Sequence, residues 1–219
     1  IKLLFSQIKK FLPLYAVLSN ENDAIKLSKL CSKHDLKTKI LNGSEGLLFV
    51  SNHSRVKTVL SGIVGAAALK PTLAAIESGK KILLANKESL IMSGPLMINA
   101  AKKSGAIIIP VDSEHNAILQ IMTTMGLDFN NIQNSKQNER INKITLTASG
   151  GPFLDFTKNQ LSRVTPAQAI KHPKWKMGKK ISVDSASMMN KGLEIIEAAI
   201  LFNLQPSQIN ILIHPQSVV

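Results

Sequence analysis

The sequence predicts an α/β fold, and three features carry that prediction. Short β-type runs alternate with helical stretches from residue 57 onwards. One run, 106–111, is continuously apolar, which is typical of a parallel strand covered by helices on both faces. Gly79 and Gly105 each follow a helical stretch, where glycine adopts the left-handed conformation of a helix end without strain.

The first 111 residues are interpreted as the later part of a doubly wound, Rossmann-like nucleotide-binding domain. A β-type run, a helix and a second run form one βαβ unit, and a further helix and strand continue the alternation. In chain order these elements are predicted at 58–63, before Gly79, at 81–86, at 88–103 and at 106–111.

Residues 112–219 are interpreted as a second α/β domain. A polar stretch rich in Asn and Gln is predicted to be a loop or an insertion. The pattern then predicts a strand, a helix capped near Thr165, a basic loop, a second helix that Ser182–Ser185 lead into, and a final strand. The ranges are 126–140 for the polar stretch, 144–147 for the strand, 171–180 for the basic loop, 186–202 for the second helix and 209–213 for the final strand.

Composition narrows the classes of partner without choosing one. The chain has a net charge of +13 and one cysteine, Cys31, and no apolar run approaches the ~20 residues that a membrane helix needs. A single cysteine excludes an internal disulfide and suits a reducing compartment, with Cys31 packed in the core. Ten Lys and Arg residues lie between Gln133 and Lys180, against two acidic residues. This excess fits a solvated basic face as well as a surface that attracts nucleic acid, an anionic membrane or a phosphorylated metabolite.

The start of the chain indicates truncation. Residues 1–4 show neither an initiator Met nor a signal-peptide pattern. No G-x-G-x-x-G occurs, although a dinucleotide-binding sheet usually holds the pyrophosphate with such a loop after its first strand. We therefore expect the first βα unit to lie upstream of Ile1.

Two acidic residues directly follow the apolar strand. Open α/β sheets bind ligands at the carboxyl ends of their strands, so Asp112 and Glu114 could both turn toward one hard cation such as Mg²⁺ or Mn²⁺. The alternative is an ordinary helix N-terminus, with Asp112 or Ser113 as its cap.

A second polar patch interrupts the apolar helix predicted at 186–202. Asn190 and Glu194 are four residues apart and share one face, with Lys191 beside them. Glu194 would offer a third carboxylate to a cation. The alternative is an exposed helix face on which Lys191 pairs with Glu194.

Small hydroxyl groups and one loop favour an anion site. Ser149 precedes two glycines at a strand end, and Ser185 is predicted at a helix start, although both positions also suit ordinary turns and caps. His172, in the basic loop, suits a hydrogen bond to a phosphate or hydroxyl group. Trp175, the only tryptophan, could close over a substrate or pack in the core. His34, His53 and His115 are given only surface or packing roles.

Six segments resemble the 1-deoxy-D-xylulose 5-phosphate reductoisomerase family and occur in that family's order. The match runs from about Gly62 to the end of the chain, and residues before Lys57 agree with the family only in general character. The segments are Ala85–Leu90, Pro110–Ala117, Ser149–Phe153, His172–Gly178, Ser182–Glu194 and Ile213–Ser217.

The resemblance implies an NADPH-dependent enzyme of the non-mevalonate isoprenoid pathway, which converts 1-deoxy-D-xylulose 5-phosphate to 2-C-methyl-D-erythritol 4-phosphate. It implies that Asp112, Glu114 and Glu194 hold Mg²⁺, Mn²⁺ or Co²⁺ and that they and Lys87 are catalytic. The implied substrate-binding residues are Lys87, Ser113, Glu114, Ser149, His172, Trp175, Ser185, Asn190, Lys191 and Glu194. The implied cofactor-binding residues are Asn86, Lys87, Glu88, Met177 and Gly178.

The resemblance also implies how the chain is organised. Residues 1–111 would be part of an NADPH-binding domain and residues 112–219 part of the catalytic domain, with the family's Gly-rich loop and C-terminal helical domain outside the chain. We expect this fragment to be inactive alone, and the full-length protein to be a homodimer without nucleic-acid or membrane partners. A bacterial cytoplasmic location is expected, with a plastid location left open.

Two other functions compete with this interpretation. One is a basic nucleic-acid-binding module, although aromatic residues make up only 4% of the chain and no stacking platform interleaves with the basic residues. The other is a different NAD(P)-linked, metal-dependent enzyme of sugar phosphates.

Overall fold

The computed structural model describes residues 1–127 and 140–218, which form two compact units. The first unit is Ile1–Leu83 together with Leu96–Ile108. The second is Leu84–Pro95 together with the described residues from Ile109 onwards. The domain division predicted at residue 111 stays a prediction, and the two divisions differ on Leu84–Pro95 and on residues 109–111.

The first unit begins with five elements that alternate between helix and strand. They are α1 (Lys2–Phe11), β1 (Tyr15–Leu18), α2 (Glu21–Lys33), β2 (Lys39–Asn42) and α3 (Gly43–Asn52). β1 and β2 pair in parallel, with Tyr15 opposite Lys39. Ile8, Leu27 and Cys31 are buried together against this sheet. The prediction that Cys31 packs in the core is confirmed, and burial raises the pKa of its thiol.

A second sheet follows, with the strand order β3-β4-β5. Its elements are β3 (Thr58–Ser61), a 3-10 turn (Gly65–Ala68), α4 (Leu69–Glu77), β4 (Lys81–Leu84), α5 (Lys87–Ser104) and β5 (Ile107–Pro110). The hydrogen bonds Ile107 N to Lys80 O and Val111 N to Leu84 O advance in the same direction along both strands, which is parallel pairing.

The glycine predicted to end α4 does so. Gly79 has a φ of +68° and its amide donates to the Ile76 carbonyl at 2.9 Å. Gly105, after α5, has a φ of +75° and donates to Ala101. These residues adopt the left-handed conformation because glycine has no Cβ to oppose it.

Helix α5 is not the continuous helix that the pattern predicts. Ser93 has non-helical dihedral angles, with a φ of −146°, two residues before Pro95. Proline removes one backbone donor and its ring clashes with the preceding turn, so a kink at this point has a local cause. The N-terminal segment of α5, which carries Lys87, therefore belongs to the second unit and the C-terminal segment to the first.

The second unit contains a third sheet, which is parallel. Its elements are α6 (Ser113–Thr124), β6 (Ile144–Ala148), α7 (Lys158–Leu161), α8 (Pro166–Ala169), α9 (Lys179–Ala186), α10 (Met189–Phe202), a 3-10 turn (Pro206–Gln208) and β7 (Ile209–Ile213). β6 and β7 pair from Ile144 opposite Ile209 to Ala148 opposite Ile213. The predicted cap at Thr165 is confirmed, because its side chain accepts a hydrogen bond from Gln168 N.

The start predicted for the helix at 186–202 is wrong. Ser182–Ser185 do not lead into it but lie within a separate helix, α9, and Ser187 and Met188 separate α9 from α10. Met188 has a φ of +60°, so the break is made by a left-handed methionine. Neither glycine nor proline marks this position, and a run rich in serine with Val183 favours helix only weakly, which explains why the pattern failed here.

The architecture confirms the predicted α/β class, with helices between parallel strands. Most of the polar stretch predicted as a loop at 126–140 lies outside the described residues. Within residues 1–127 and 140–218, no helix is long and apolar enough to cross a membrane.

Candidate functional site

A cavity of about 510 Å³ lies in the second unit, at the carboxyl ends of β5, β6 and β7. Asp112 follows β5, Ser149 follows β6 and His214 follows β7, while α10 contributes side chains from its first turns. Parallel pairing of β6 with β7 brings Ser149 and His214 to the same edge of one sheet, whereas Asp112 follows β5 of the separate β3-β4-β5 sheet, so residues of two sheets meet here. All ten predicted substrate-binding residues line this cavity.

Three carboxylates converge in the cavity. Asp112, Glu114 and Glu194 each offer an oxygen, and these oxygens all lie within 4.8 Å of one another. Asp112 stands at the N-cap position of α6, but its side chain makes no capping hydrogen bond, so the capping alternative does not account for it. The structure thus brings together the residues that the sequence pattern associates with a cation.

Two lysines form ion pairs with these carboxylates. Lys87 Nζ lies 2.6 Å from Asp112 Oδ2 and 3.2 Å from Glu194 Oε1, and it donates to Asn190 Oδ1 at 3.1 Å. Lys191 Nζ lies 2.9 Å from Glu114 Oε1 and 2.5 Å from Glu194 Oε2. Lys191 does pair with Glu194, as the alternative interpretation of α10 holds, but both side chains are buried rather than exposed.

The proton affinities of these groups follow from burial and ion pairing. Burial alone would lower the pKa of Lys87, but the charges of Glu194 and Asp112 outweigh it and raise that pKa. Burial alone would raise the pKa of Glu114, but hydrogen bonds from Lys191 and Ser113 lower it to about 2. The Ser113 hydroxyl donates to Glu114 Oε2 at 2.7 Å. Both groups are therefore charged at neutral pH.

The donor atoms fit a hard divalent cation. All three convergent groups are carboxylates, which suit Mg²⁺ and Mn²⁺ better than softer metals. Three negative charges face two ammonium groups, which leaves a net negative charge for a cation to balance. The role of Asp112, Glu114 and Glu194 as metal ligands stays a prediction.

A hydroxyl-rich and basic side of the cavity lies beside the carboxylates. His172 Nδ1 accepts hydrogen bonds from the backbone amides of Lys174 and Trp175 at 3.2 and 3.0 Å. The neutral ring therefore carries its hydrogen on Nε2, which donates to Ser149 Oγ at 3.1 Å. Burial lowers the pKa of His172 and favours this neutral form.

Ser185 lines the cavity. The prediction that it lies at a helix start is wrong. It is the penultimate residue of α9, and its carbonyl packs against the turn after β6. Gly151 has a φ of +73°, and a Cβ at this position would lie 2.6 Å from Ser185 O. The backbone of Ser185 thus lies against Gly151, two residues after Ser149, and Ser185 presents no helix N-terminus to the cavity.

Trp175 does not pack in the core. It is 59% exposed, which excludes the core alternative, and it lines the cavity together with Met177. The segment from His172 to Gly178 has no helix or strand, and Pro173 and Gly178 lie near its ends. We call this segment the 172–178 loop. Its exposure and position suit a segment that closes over a ligand.

The predicted cofactor-binding residues are only partly brought together. Lys87 and Met177 line the cavity, whereas Asn86, Glu88 and Gly178 do not. Asn86 accepts a hydrogen bond from Ser89 N at 2.8 Å and so caps the start of α5. Glu88 pairs with Lys180 at 2.6 Å. Their proposed contact with a nicotinamide cofactor stays a prediction.

Two buried polar residues lie behind the carboxylates: the packing role given to His115 is confirmed, whereas Glu197 was given no role from the sequence. His115 and Glu197 are 0% and 1% exposed, with 3.4 Å between His115 Nδ1 and Glu197 Oε2. Burial, followed by the charge of Asp112, raises the pKa of Glu197 to about 8, and burial lowers that of His115. Glu197 follows Glu194 by three residues on the same helical face, which was the available signal.

The cavity also contains residues that were not assigned a role from the sequence, among them Lys176, Met188, His214 and Ser217. These four residues lie in segments on which the family resemblance rests, and that resemblance was the signal for them.

Comparison with protein families matches almost the whole chain. A family model described as 1-deoxy-D-xylulose 5-phosphate reductoisomerase matches residues 1–94. A model described as the C-terminal domain of that enzyme matches residues 108–202. The expectation that residues before Lys57 agree only in general character is therefore wrong, because residues 1–56 lie within the first match.

Curated relatives show the same likeness. A 1-deoxy-D-xylulose 5-phosphate reductoisomerase of Stutzerimonas stutzeri (strain A1501) is 50% identical over 96% of this chain and 52% of the relative. The enzyme of Pseudomonas fluorescens (strain Pf0-1) is 51% identical over 99% of this chain and 53% of the relative. The chain spans about half the length of the curated relatives it matches.

Solved structures agree with the fold. A crystal structure of DOX-P reductoisomerase in complex with NADPH, fosmidomycin and magnesium superposes with a TM-score of 0.91 at 47% identity, over 99% of this chain and 52% of that one. The 1-deoxy-D-xylulose 5-phosphate reductoisomerase from Zymomonas mobilis, in complex with NADPH, superposes with a TM-score of 0.84 at 37% identity, over 100% of this chain and 52% of that one.

Helices alternating with parallel strands, and a carboxylate-lined cavity at the strand ends, define the class: an α/β protein with a candidate divalent-cation site. Within that class, the two family models and the relatives at about 50% identity agree on one assignment. The chain belongs to the 1-deoxy-D-xylulose 5-phosphate reductoisomerase family.

Proposed function

We propose that the protein to which these residues belong converts 1-deoxy-D-xylulose 5-phosphate to 2-C-methyl-D-erythritol 4-phosphate, with NADPH and a divalent cation. The observation that carries the proposal is the convergence of three carboxylate oxygens within 4.8 Å, in a cavity that also holds hydroxyl and ammonium groups. A short phosphorylated sugar needs both parts of such a site: carboxylates that hold a cation near its carbonyl, and hydroxyl and ammonium groups that bind its phosphate. The family to which the chain belongs indicates which sugar phosphate is the substrate.

The carboxylates are proposed to hold the cation. Bound by Asp112, Glu114 and Glu194, a divalent ion would polarise the substrate carbonyl and stabilise developing alkoxide charge. Mg²⁺, Mn²⁺ and Co²⁺ all remain candidates, and a magnesium complex is known for a related structure. Lys87, held between Asp112 and Glu194, is proposed to place a positive charge beside the reacting oxygens.

The part of the cavity beside the carboxylates is proposed to hold the phosphate. Ser149, Ser185, Asn190 and Lys191 line it, and His172 donates to Ser149. Because Lys191 pairs with Glu114 and Glu194, a cation bound to those carboxylates would compete with its ammonium group. Lys191 would then be available to the phosphate, so the predicted cation site and the predicted phosphate site are compatible. Binding energy from the phosphate positions the short carbon chain.

The 172–178 loop is proposed to close over the substrate. Trp175 and Met177 would cover the bound molecule and exclude water, which protects a reactive carbonyl from hydration. Asn86, Glu88 and Gly178, together with Lys87 and Met177, are the proposed contacts to NADPH. The homodimer, the cytoplasmic location and the absence of nucleic-acid and membrane partners stay predictions.

The test uses a full-length protein that contains these residues. We expect NADPH oxidation only when 1-deoxy-D-xylulose 5-phosphate and Mg²⁺ or Mn²⁺ are both present. Glu194→Gln is expected to lower activity and to raise the cation concentration needed for half-maximal rate, because a neutral amide is a weaker ligand. Lys191→Ala is expected chiefly to raise KM for the sugar phosphate. Spectrophotometry at 340 nm measures both effects.

Glu45→Gln is the matched control, since Glu45 is an exposed carboxylate in α3, outside the cavity. Its kinetics should equal those of the unmodified protein. Undiminished turnover in excess chelator would rule out the metal assignment. Normal metal dependence in Glu194→Gln would rule out the three-carboxylate site.

A further inference from the structure

A buried contact behind the cavity joins the two helices that carry Glu114 and Glu194. His115 follows Glu114 on α6, and its side chain reaches α10. Its Nε2 lies 2.9 Å from the carbonyl oxygen of Glu194. Its Nδ1 lies 3.4 Å from Glu197 Oε2, one helical turn further along α10. The imidazole of His115 therefore contacts the backbone of Glu194, and His115 directly follows Glu114 in the sequence.

The hydrogen on His115 Nε2 follows from its partner. A backbone carbonyl can only accept, so Nε2 must donate. Nδ1 and Glu197 Oε2 have no hydrogen-bond partner within residues 1–127 and 140–218, and both side chains are buried. A single proton on either of these two atoms makes the 3.4 Å contact attractive, whichever atom carries it.

Packing holds the imidazole in this position. The His115 ring stacks on Phe202, with ring centroids 6.4 Å apart and planes 8° apart. Glu194, Glu197 and Phe202 all belong to α10, so three separate contacts from one helix act on a single side chain of α6. Rotation or sliding of one helix against the other would break all three contacts.

We propose that Glu197 is a positioning residue. Through His115 it fixes α6 against α10, and so it sets the distance between Glu114 and Glu194 across the cation position. This inference rests on the proposed function, because it needs those two carboxylates to share an ion. Outer partners of metal ligands commonly affect metal affinity in this way, by factors of about 10–100.

The test measures Mn²⁺ binding to the 219-residue chain, with free Mn²⁺ followed by electron paramagnetic resonance. Glu197→Leu removes the polar contact and is expected to raise the Kd for Mn²⁺ about 10-fold or more. Glu197→Gln can still donate to or accept from Nδ1, so it should restore a Kd close to that of the unmodified chain. Glu197→Ala gives the same comparison if leucine prevents folding, as judged by circular dichroism.

Met122→Ala controls for a general loss of stability. Met122 is buried on α6, two turns beyond Glu114. It should lower the free energy of unfolding and leave the Kd for Mn²⁺ unchanged. An equal rise in Kd for Met122→Ala, or an unchanged Kd for Glu197→Leu, would overturn the positioning role.

A second measurement separates a positioning role from direct ligation, because Asp112, His115 and Glu197 also offer ligand atoms within 4.8 Å of one another. The visible spectrum of bound Co²⁺ depends on the ligand atoms. Glu197→Gln is expected to leave it unchanged, and an altered spectrum would make Glu197 a ligand and reject this proposal. If the unmodified chain binds no Mn²⁺, the metal site itself fails in this chain and the inference fails with it. An unchanged Kd in a chain that binds Mn²⁺ removes the positioning role alone.

Discussion

Two lysines determine the charge state of the cavity as much as the carboxylates do. Lys87 and Lys191 are 9% and 5% exposed and lie between carboxylates, so each is held by ion pairs that offset the loss of hydration. Removing Lys87 would break its ion pairs with Asp112 and Glu194, and removing Lys191 would break those with Glu114 and Glu194. Substitutions at these two positions therefore affect stability as well as ligand binding, and binding assays on them need a folding control.

Glu197 gives the chain a specific dependence of stability on pH in a metal-free buffer. Its pKa is raised from 4.5 to about 8 in the folded chain, by burial first and then by the charge of Asp112. The folded state keeps a proton that the unfolded state loses across this interval. The stabilising contribution is complete below pH 4.5, decreases as pH rises, and is lost above pH 8.

Glu197→Gln cannot titrate and should remove this dependence. From pH 5 to pH 8 we expect the free energy of unfolding of the unmodified chain to decrease relative to that of Glu197→Gln. Urea unfolding with excess chelator measures it at each pH. A difference that is constant across this range would contradict the raised pKa.

At the scale of elements, the glycine in the turn after β6 is required by its surroundings, whereas the glycine inside α10 is not. Gly151 needs a positive φ and has the Ser185 carbonyl 2.6 Å from the position of a Cβ. Gly192 lies inside α10, where a Cβ would meet only the Met189 side chain, at 3.6 Å or more. The first glycine is required by the close approach of the Ser185 backbone to the turn after β6. The second costs helix stability.

Alanine at these two positions should have opposite effects. Gly151→Ala is expected to lower the free energy of unfolding by more than about 1 kcal/mol, because it adds a clash to the cost of a left-handed alanine. Gly192→Ala is expected to raise it by about 0.5–1 kcal/mol, the usual gain from alanine in a helix interior. Chemical denaturation measures both. Equal effects of the two variants would show that the turn can relax around the new methyl group.

Several elements were predictable because their signals are local. The glycine after α4, the cap at Thr165 and the strand that ends at Pro110 each depend on residues within one turn or strand. The break between α9 and α10 was not predictable, since Met188 adopts its φ of +60° without a glycine or proline to mark it. The kink in α5 had a visible marker in Pro95, although the periodic pattern alone favoured one helix.

At the scale of the whole molecule, the proposed cation links ligand binding to folding. The chain has a net charge of +13, yet the cavity collects carboxylates that only the folded state brings together. A cation that binds the folded state and not the unfolded chain stabilises it by RT ln(1 + [L]/Kd). This contribution is about 2.7 kcal/mol when the free ion is at 100 times its Kd.

Mn²⁺ should therefore raise the Tm of the chain, and a chelator should reverse the rise. A double variant, Asp112→Asn with Glu194→Gln, should show no such rise, since two of the three carboxylates lose their charge. Differential scanning calorimetry with and without Mn²⁺ measures the shift. An equal shift in the double variant would place the bound ion elsewhere on the protein.

The sequence by itself determined the α/β class, the family and the ligand types: carboxylates after one strand, a carboxylate and a lysine on one helix, hydroxyl groups at turns. These are local patterns. Only the tertiary structure decided how they meet, because Lys87 pairs with Glu194 across 107 positions and Lys191 with Glu114 across 77. The burial of His115 and Glu197 and the exposure of Trp175 were decided there too, since burial depends on which elements pack together and not on the residue type.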